Sequence, residues 1–136
     1  MNSGVAHPSG LLFGPTKSGK QYLSVYYHRQ ASRLQEKCIW CIPPAQEYDI
    51  FCEADDKNWL DEDGHYWGVH DQGNTTLGTR DERICKFPCT PNPRDPWHGY
   101  PVARSRDTPS DDFINNWIEN KVISRKIGRD IQRGKL

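Results

Sequence analysis

One stretch decides the fold class of this chain: Asp61-Glu62-Asp63-Gly64-His65-Tyr66-Trp67-Gly68-Val69-His70-Asp71-Gln72-Gly73-Asn74. Its middle, His65–His70, is rich in aromatic residues and is bounded on both sides by acidic sequences that contain glycine. Short aromatic runs between such turn sequences are a strong local signal for antiparallel hairpins. The stretch therefore predicts a strand with a hairpin turn at each end.

Neighbouring runs extend this pattern into a β-meander over residues 48–87. Each run combines aromatic or β-branched residues and is followed by a turn sequence. The predicted strands are Tyr48–Cys52, Asn58–Leu60, His65–His70, Thr75–Thr79 and Glu82–Phe87. Prolines between residues 88 and 96 then predict an extended, irregular segment as far as Pro101, because proline lacks a backbone donor.

The chain before the meander is predicted to hold an arm and a helix. Residues 1–19 are rich in glycine, proline and serine and form the arm, with one short strand at Leu11–Phe13. Lys20–Lys37 contains no glycine or proline, and its apolar spacing predicts a helix, although Tyr22–Tyr27 also suits a strand. Pro43-Pro44 is expected to stop this helical segment.

The C-terminal region predicts two short helices joined by a turn. Ser110 or Thr108 caps the first, Asn120 is its left-handed stop, and Ser124 caps a second helix that runs to Arg133. We therefore expect a small α+β protein: an arm over residues 1–19, then a single domain over residues 20–136. In that domain an antiparallel β-meander packs against the C-terminal helix pair.

Length and composition favour a folded, cytoplasmic protein. The 136 residues suit one domain, and 11% aromatic residues favour a folded core over disorder. The apolar runs are all much shorter than the roughly 20 residues that span a bilayer. Residues 1–8 lack the charged flank and apolar stretch of a signal peptide, so a membrane or secreted protein is not expected.

The formal net charge of zero conceals an uneven distribution along the chain. Residues 1–44 carry a net charge of +4, residues 45–82 carry −9, and residues 83–136 carry +5. Either the basic flanks fold back over the acidic middle, or an exposed charged face binds a partner of opposite charge.

The five cysteines allow a zinc site, and zinc is the one cofactor that the sequence suggests. Cys38-x2-Cys41 and Cys85-x3-Cys89 together offer four thiolates to one zinc ion, with Cys52 left inside the fold. The alternative is that these residues are reduced, buried thiols, since Cys85 sits in a predicted strand.

Two loops carry residue types found in active sites. Gly14–Lys20 fits the first seven positions of a P-loop, but the eighth is Gln21, and the antiparallel pattern downstream favours an ordinary glycine loop. In Pro96-Trp97-His98-Gly99-Tyr100-Pro101, His98 is a candidate catalytic base or ligand. Alternatively, Trp97 and Tyr100 plug the core.

The run from Glu82 to Pro88, together with Asp95–Val102, resembles a block found in small uncharacterised bacterial proteins. The resemblance covers about the last third of the chain, including the helix pair that ends at Gly134-Lys135-Leu136. It implies a bacterial, cytosolic origin, and it brings no known activity with it.

These observations lead to two functional hypotheses. The first is a non-enzymatic accessory, immunity or antitoxin-like protein that binds another protein with a basic surface. Its expected contact residues are Asp55, Asp56, Asp61, Trp97, His98 and Tyr100. The alternative is a small nuclease or nucleic-acid-binding domain, stabilised by zinc, that uses His98 and the basic C-terminal helices.

Overall fold

The computed structural model describes residues 4–26, 39–102 and 107–135. Within these ranges the strands are β1 (Val5–His7), β2 (Gly10–Phe13), β3 (Tyr22–Val25), β4 (Tyr66–Gly68), β5 (Cys85–Phe87) and β6 (Tyr100–Pro101). The α-helices are α1 (Pro44–Asp56), α2 (Asp111–Glu119) and α3 (Arg125–Gln132). None of these helices has the length and apolarity that a bilayer span requires, which is a finding about the described ranges alone.

The strands form two antiparallel sheets, and each sheet follows the chain order. The first sheet is β1-β2-β3 and the second is β4-β5-β6. Helix α1 contacts β3 of the first sheet and β4 of the second, while α2 packs against α3. The predicted α+β class, with an antiparallel meander and a C-terminal helix pair, is confirmed.

The strand predicted at Tyr48–Cys52 is wrong, because these residues lie in helix α1. Pro43 is the N-cap, and Pro44 is the first helical residue, where a missing N–H costs no helical hydrogen bond. The buried side chains include Glu47, Ile50, Phe51 and Ala54, which recur at helical spacing. The two prolines therefore begin a helix, although the sequence analysis expects them to end one.

The helix predicted from Lys20 is wrong at its start, where β3 pairs with β2. Tyr22, Leu23 and Ser24 are all buried, so this strand lacks the alternation that identifies a half-exposed strand. The strand alternative is thus confirmed for Tyr22–Val25. Residues 27–37 of that predicted helix lie outside the described ranges.

Two more predicted strands are reduced to single bridges. Leu60 bridges to Tyr66, and Gly78 bridges to Trp40. By contrast, β6 forms within the segment predicted to be irregular, and it pairs with β5 at the edge of the second sheet. Pro101 is tolerated there because an edge strand leaves one side of its backbone without ladder partners.

The C-terminal helices begin where the sequence predicts. Ser110 caps α2 by accepting from the backbone N–H of Phe113 (3.2 Å), and Ser124 caps α3 by accepting from Ile127 N–H (3.2 Å). The left-handed residue after α2 is Lys121, at φ 60°, rather than Asn120.

All three helices end in the same Schellman motif. The residue two beyond the last helical residue is left-handed in each case: Asn58, Lys121 and Gly134, with φ of 58°, 60° and 70°. After α2, Val122 N–H donates to Trp117 O (2.9 Å) and Lys121 N–H donates to Ile118 O (3.1 Å), as the motif requires.

Aromatic side chains from both sheets meet α1 in the core. The Phe51 ring of α1 lies 5.0 Å from the Tyr22 ring of β3 and 5.1 Å from the Phe87 ring of β5. A parallel bridge also joins β3 to the segment around Trp97. Leu23 N–H donates to Trp97 O (2.7 Å), and Trp97 N–H donates to Gln21 O (2.8 Å). The first sheet is therefore tied to the segment that leads into β6.

Candidate functional site

A cleft of about 670 Å³ lies between the glycine loop 14–20 and helix α1. We call it the acidic cleft, and its lining is Pro15, Thr16, Lys17, Ser18, Tyr48, Cys52, Glu53, Asp55 and Asp56. The loop contributes hydroxyl groups and one lysine, whereas α1 contributes three carboxylates. The fold brings these groups together because α1 starts at Pro44 and packs against β3, which directly follows the loop.

Asp55 is the centre of a hydrogen-bond network in this cleft. Its carboxylate accepts from Thr16 Oγ1 (2.9 Å), Ser18 Oγ (2.5 Å), Lys20 Nζ (2.9 Å) and the Tyr66 hydroxyl (3.0 Å). Its side chain is only 6% exposed. The network joins the glycine loop, α1 and β4, so the carboxylate of Asp55 stabilises the fold.

The protonation states in this network oppose nucleophilic catalysis. Burial acts to raise the pKa of Asp55, but the hydrogen bonds from Ser18, Lys20 and Thr16 outweigh it, and the net pKa is lowered. Burial likewise acts against the charged form of Lys20, yet its contacts with Asp55 leave the net pKa raised. Ser18 Oγ accepts from Lys20 Nζ (2.8 Å), but an ammonium cannot accept a proton, and a carboxylate whose pKa is lowered is a weak base.

Two further nucleophilic side chains of the acidic cleft, Tyr48 and Cys52, are also protonated at neutral pH. Burial raises the pKa of the Tyr48 hydroxyl and of the Cys52 thiol, and nearby Asp49 adds to both effects. A thiol without a thiolate form is a weak nucleophile. Neither Tyr48 nor Cys52 is therefore activated as a nucleophile.

The glycine loop does not lead into the helix that a P-loop requires. The segment after Gln21 is strand β3, and Thr16, Ser18 and Lys20 all donate to Asp55. In a P-loop the lysine and the backbone amides instead bind phosphate groups at a helix N-terminus. The structure thus supports the interpretation of residues 14–20 as a glycine loop.

The exposed acids of α1 form one face beside the acidic cleft. Asp49, Glu53 and Asp56 are spaced by four and three residues, so they follow one side of the helix. Glu53 accepts from Lys57 Nζ (2.8 Å), whereas Asp49 and Asp56 have no ion-pair partner among the described residues. Asp56 lines the cleft together with Glu53.

Asp61, one of the predicted partner contacts, stabilises a turn. Its Oδ1 accepts from the backbone N–H groups of Asp63 (2.9 Å) and His65 (3.0 Å), and its Oδ2 accepts from Trp67 Nε1 (2.8 Å). Burial acts to raise its pKa, but the bond from Trp67 and the two backbone bonds lower it overall. Asp61 lies outside the acidic cleft, so the structure does not bring it together with Asp55 and Asp56.

The residues of the Pro96–Pro101 block occupy different environments. The Trp97 ring is half-buried and lies 5.8 Å from Phe51 and 5.1 Å from Tyr66, so it packs at the edge of the core. The Tyr100 hydroxyl donates to Asp107 Oδ2 (3.5 Å). His98 is at the surface, but the surrounding protein removes part of the water around its imidazole and so lowers its pKa. These three residues do not line the acidic cleft.

The predicted zinc ligands are in dissimilar surroundings. Cys38 lies outside the described residues, Cys41 and Cys89 are exposed, and Cys85 is 0% exposed within β5. Burial and the charge of Glu47 raise the pKa of Cys85 well above its ordinary value, which opposes the thiolate that zinc requires. Among the described residues, no three His, Cys, Asp or Glu side chains are grouped to hold a metal ion.

The four-cysteine zinc site stays a prediction, because one of its ligands is not described. Elemental analysis of protein purified without chelator, together with thermal melts in EDTA, tests it directly. A bound site requires one zinc per chain and a melting temperature that falls in EDTA.

Among the basic residues of α3, Arg129 is engaged within the helix pair, whereas Arg125 and Lys126 are exposed. Arg129 donates to Asn115 Oδ1 (3.0 Å) and Gln132 Oε1 (2.5 Å), and Lys126 pairs with Asp130 (3.1 Å). The helix is short, and Gly128 is buried against Ile118 of α2. The exposed basic side chains that the nucleic-acid alternative needs are therefore present on α3.

Sequence reasoning missed the loop side of the acidic cleft and the carboxylates Asp49 and Glu53. The spacing of Asp49, Glu53 and Asp56 indicates a shared acidic face, but only if this segment is a helix. Pro43-Pro44 followed by a segment without glycine or proline could have indicated that helix. The hydrogen bonds from the loop to Asp55 span 35 to 39 residues, which local patterns do not reveal.

Comparison of the chain with protein-family models, with curated proteins and with solved structures gave no match.

Proposed function

We propose that this chain is a non-enzymatic protein that binds a partner with a basic surface through the acidic cleft and the exposed face of α1. The observation that carries the proposal is the position of Glu53 and Asp56 on a cleft that the exposed Pro15 and the half-buried Cys52 also line. A lysine or arginine of a partner needs an acid for its charge and an apolar surface for its methylene groups. The acidic cleft offers both.

The distribution of acids supports this choice. Of the eleven acids in residues 45–82, four are internal: Glu47, Asp55, Asp61 and Glu82. The remaining seven are at the surface, where Glu53 pairs with Lys57 and Asp81 pairs with Arg83, and the other five have no ion-pair partner among the described residues. An uncompensated acidic surface speeds association with a basic partner and orients it.

An immunity, antitoxin or accessory role in a bacterial cytoplasm is the setting that we propose for this binding. It rests on the sequence resemblance described above and on the chemistry of the cleft. The hydroxyls of Thr16 and Ser18 are tied to Asp55, and burial raises the pKa of Tyr48 and of Cys52, so these groups favour recognition over catalysis.

The test compares two double charge reversals that change the net charge equally. Asp49→Lys/Asp56→Lys alters the exposed face of α1, whereas Glu62→Lys/Glu119→Lys alters exposed acids that do not line the cleft. Each tagged protein is expressed in its host, and the proteins that co-purify are identified and then titrated by calorimetry.

We expect the wild type and the Glu62/Glu119 variant to retain one stoichiometric basic partner and the α1 variant to lose it. Loss in both variants would show a nonspecific charge effect. Recovery of nucleic acid without a protein partner would favour the nuclease hypothesis. In that case His98→Ala should abolish activity while the protein stays folded.

A further inference from the structure

The first sheet ends at β1, and the outer edge of this strand is open. β1 pairs with β2 from Val5↔Leu12 to His7↔Gly10, and no other described residue pairs with it. In an antiparallel pair only alternate residues bond to the neighbouring strand, so the backbone groups between them point away from β2. An open edge of this kind is a template for one more strand.

The open edge lacks the features that keep another chain from pairing with it. Natural edge strands are commonly protected by charged side chains or by proline. Residues 1–16 contain no Asp, Glu, Lys or Arg, and β1 itself contains no proline. Val5 is 66% exposed, more than Tyr26 (44%) or Leu60 (38%). The edge therefore offers an uncharged backbone and one apolar side chain to a strand of another molecule.

Val5 continues a row of apolar side chains on the outer face of the first sheet. The register places Val5 beside Leu12 and Leu12 beside Leu23, so the three side chains lie on one face. The next residues along β2, Leu11 and Phe13, pack in the core on the opposite face. A strand added to β1 would extend the outer row by one residue, and an apolar residue fits that position.

The N-terminal end of β1 lies beside the acidic cleft. The register continued by one residue places Gly4 opposite Phe13, and a Cβ on Gly4 would lie 2.9 Å from Phe13 Cζ. The Phe13 ring stacks on Tyr48 of α1 at 5.0 Å, and Pro15, two residues after Phe13, lines the cleft. β1 runs away from this end, so an antiparallel strand added to β1 runs toward it. The residues that follow such a strand would approach the acidic cleft.

We propose that the basic partner adds an antiparallel strand to β1 and places a lysine or arginine that follows this strand in the acidic cleft. This inference rests on the function proposed above and specifies how the partner is bound. The uncharged edge gives no electrostatic preference, whereas Glu53 and Asp56 of the cleft select a cation. β1 has three residues, so backbone pairing alone is weak and the two contacts act together. The partner segment therefore alternates apolar and polar residues and ends in basic ones.

The test uses the peptide acetyl-Thr-Val-Thr-Val-Ser-Arg-Arg-amide and its reversed sequence, acetyl-Arg-Arg-Ser-Val-Thr-Val-Thr-amide. The two peptides have the same composition and charge, but the reversed one places its arginines at the far end of an antiparallel strand. Each is titrated by calorimetry into the wild type, Val5→Lys, Leu60→Lys and Asp49→Lys/Asp56→Lys. Leu60→Lys is the matched control, because it introduces the same charge at another exposed apolar residue.

We expect the first peptide to bind the wild type and to slow amide hydrogen exchange within β1, followed by NMR on ¹⁵N-labelled protein. Val5→Lys should weaken binding about tenfold, the effect of losing one apolar contact, and Leu60→Lys should not weaken it. Asp49→Lys/Asp56→Lys, and reversal of the peptide, should each weaken binding at least about fivefold. Thermal melts verify that each variant is folded, and the reversed peptide tests the geometry without any substitution.

Equal binding by the wild type and Val5→Lys, equal effects of Val5→Lys and Leu60→Lys, or unchanged exchange within β1 at about 5 mM peptide would overturn the strand addition. If Asp49→Lys/Asp56→Lys still weakens binding in that case, the proposed function stands and only this inference fails. Equal binding by the wild type and the α1 variant would overturn the proposed function as well. A wild type that dimerises without peptide, with slowed exchange within β1, would assign the edge to a second copy of this chain and reject the partner strand.

Discussion

Replacing Asp55 by asparagine should destabilise the protein far more than the same change at its neighbour Asp56. Asp55 accepts four hydrogen bonds, one of them from the ammonium of Lys20, and its side chain is 6% exposed. Asp56 is exposed, and no hydrogen bond or ion pair is recorded for it within the described ranges. The two substitutions are chemically identical and adjacent on α1, so Asp56→Asn is a matched control.

The expected loss for Asp55→Asn is about 3 kcal/mol in the free energy of unfolding. Breaking a buried ion pair by removing one partner costs roughly 3–5 kcal/mol. The lower end applies, because the Lys20 side chain is 29% exposed and regains water when its partner is lost. For a chain of this size we expect a fall of about 10 °C in the melting temperature. Asp56→Asn should stay within about 0.5 kcal/mol of the wild type.

The destabilisation should also depend on pH with a defined sign. The pKa of Asp55 is lower in the folded protein than its ordinary value, so its contribution is fully present above about pH 4. It is lost as the pH falls through the folded-state pKa. Urea unfolding at pH 7, 5 and 3 should therefore show a gap between wild type and Asp55→Asn that narrows at pH 3.

Two outcomes would refute this reasoning. One is a pair of asparagine variants with equal midpoints at pH 7, which would mean that the network adds nothing to stability. The other is a gap that stays constant from pH 7 to pH 3, which would mean that the loss arises from packing and not from the carboxylate charge.

Three further stability predictions can be checked by urea unfolding. Lys121→Gly should raise the free energy of unfolding by about 1 kcal/mol, because glycine adopts φ 60° without steric cost; an unchanged midpoint would contradict the strained cap. Asp61→Ala should cost about 2 kcal/mol by leaving Trp67 Nε1 and two backbone donors without an acceptor, whereas Asp61→Asn should cost less. Gly99→Ala should cost about 2 kcal/mol or more, since its Cβ would lie 2.3 Å from Phe87; a variant as stable as the wild type would show that this ring can move.

The parts of the fold that the sequence predicts are those set by local signals. Ser110 and Ser124 each cap a helix, and Gly134 ends the last one, because capping depends on residues within four positions of each other. The strands at Tyr66–Gly68 and Cys85–Phe87 also fall inside predicted runs. These signals are short-range, so a single sequence reveals them.

The errors arise where packing overrides composition. The aromatic and β-branched residues of Tyr48–Cys52 have high strand propensity, but the helix buries them against both sheets. Tyr22–Val25 is buried on both faces and so lacks the alternation of a half-exposed strand.

The candidate site was predicted only in part for the same reason. Asp55 and Asp56 do line one cleft, but the partner-binding prediction treats them as equivalent acids. Only the long-range contacts of Thr16, Ser18 and Lys20 show that Asp55 is internal and Asp56 is not. Residue type alone does not distinguish an acid that holds the fold from one that meets solvent.

The parallel bridge between Tyr22 and Trp97 has a consequence for how the protein opens. Its two hydrogen bonds join segments far apart in sequence. The entropy lost in closing that long loop must therefore be offset by other contacts of the folded protein. The first sheet cannot separate from the rest without breaking these bonds together with the Asp55 network. We therefore expect the amides of Leu23 and Trp97 to exchange with deuterium only in the global unfolding reaction. The N-terminal strands would then belong to one cooperative unit with the core rather than to a detachable arm.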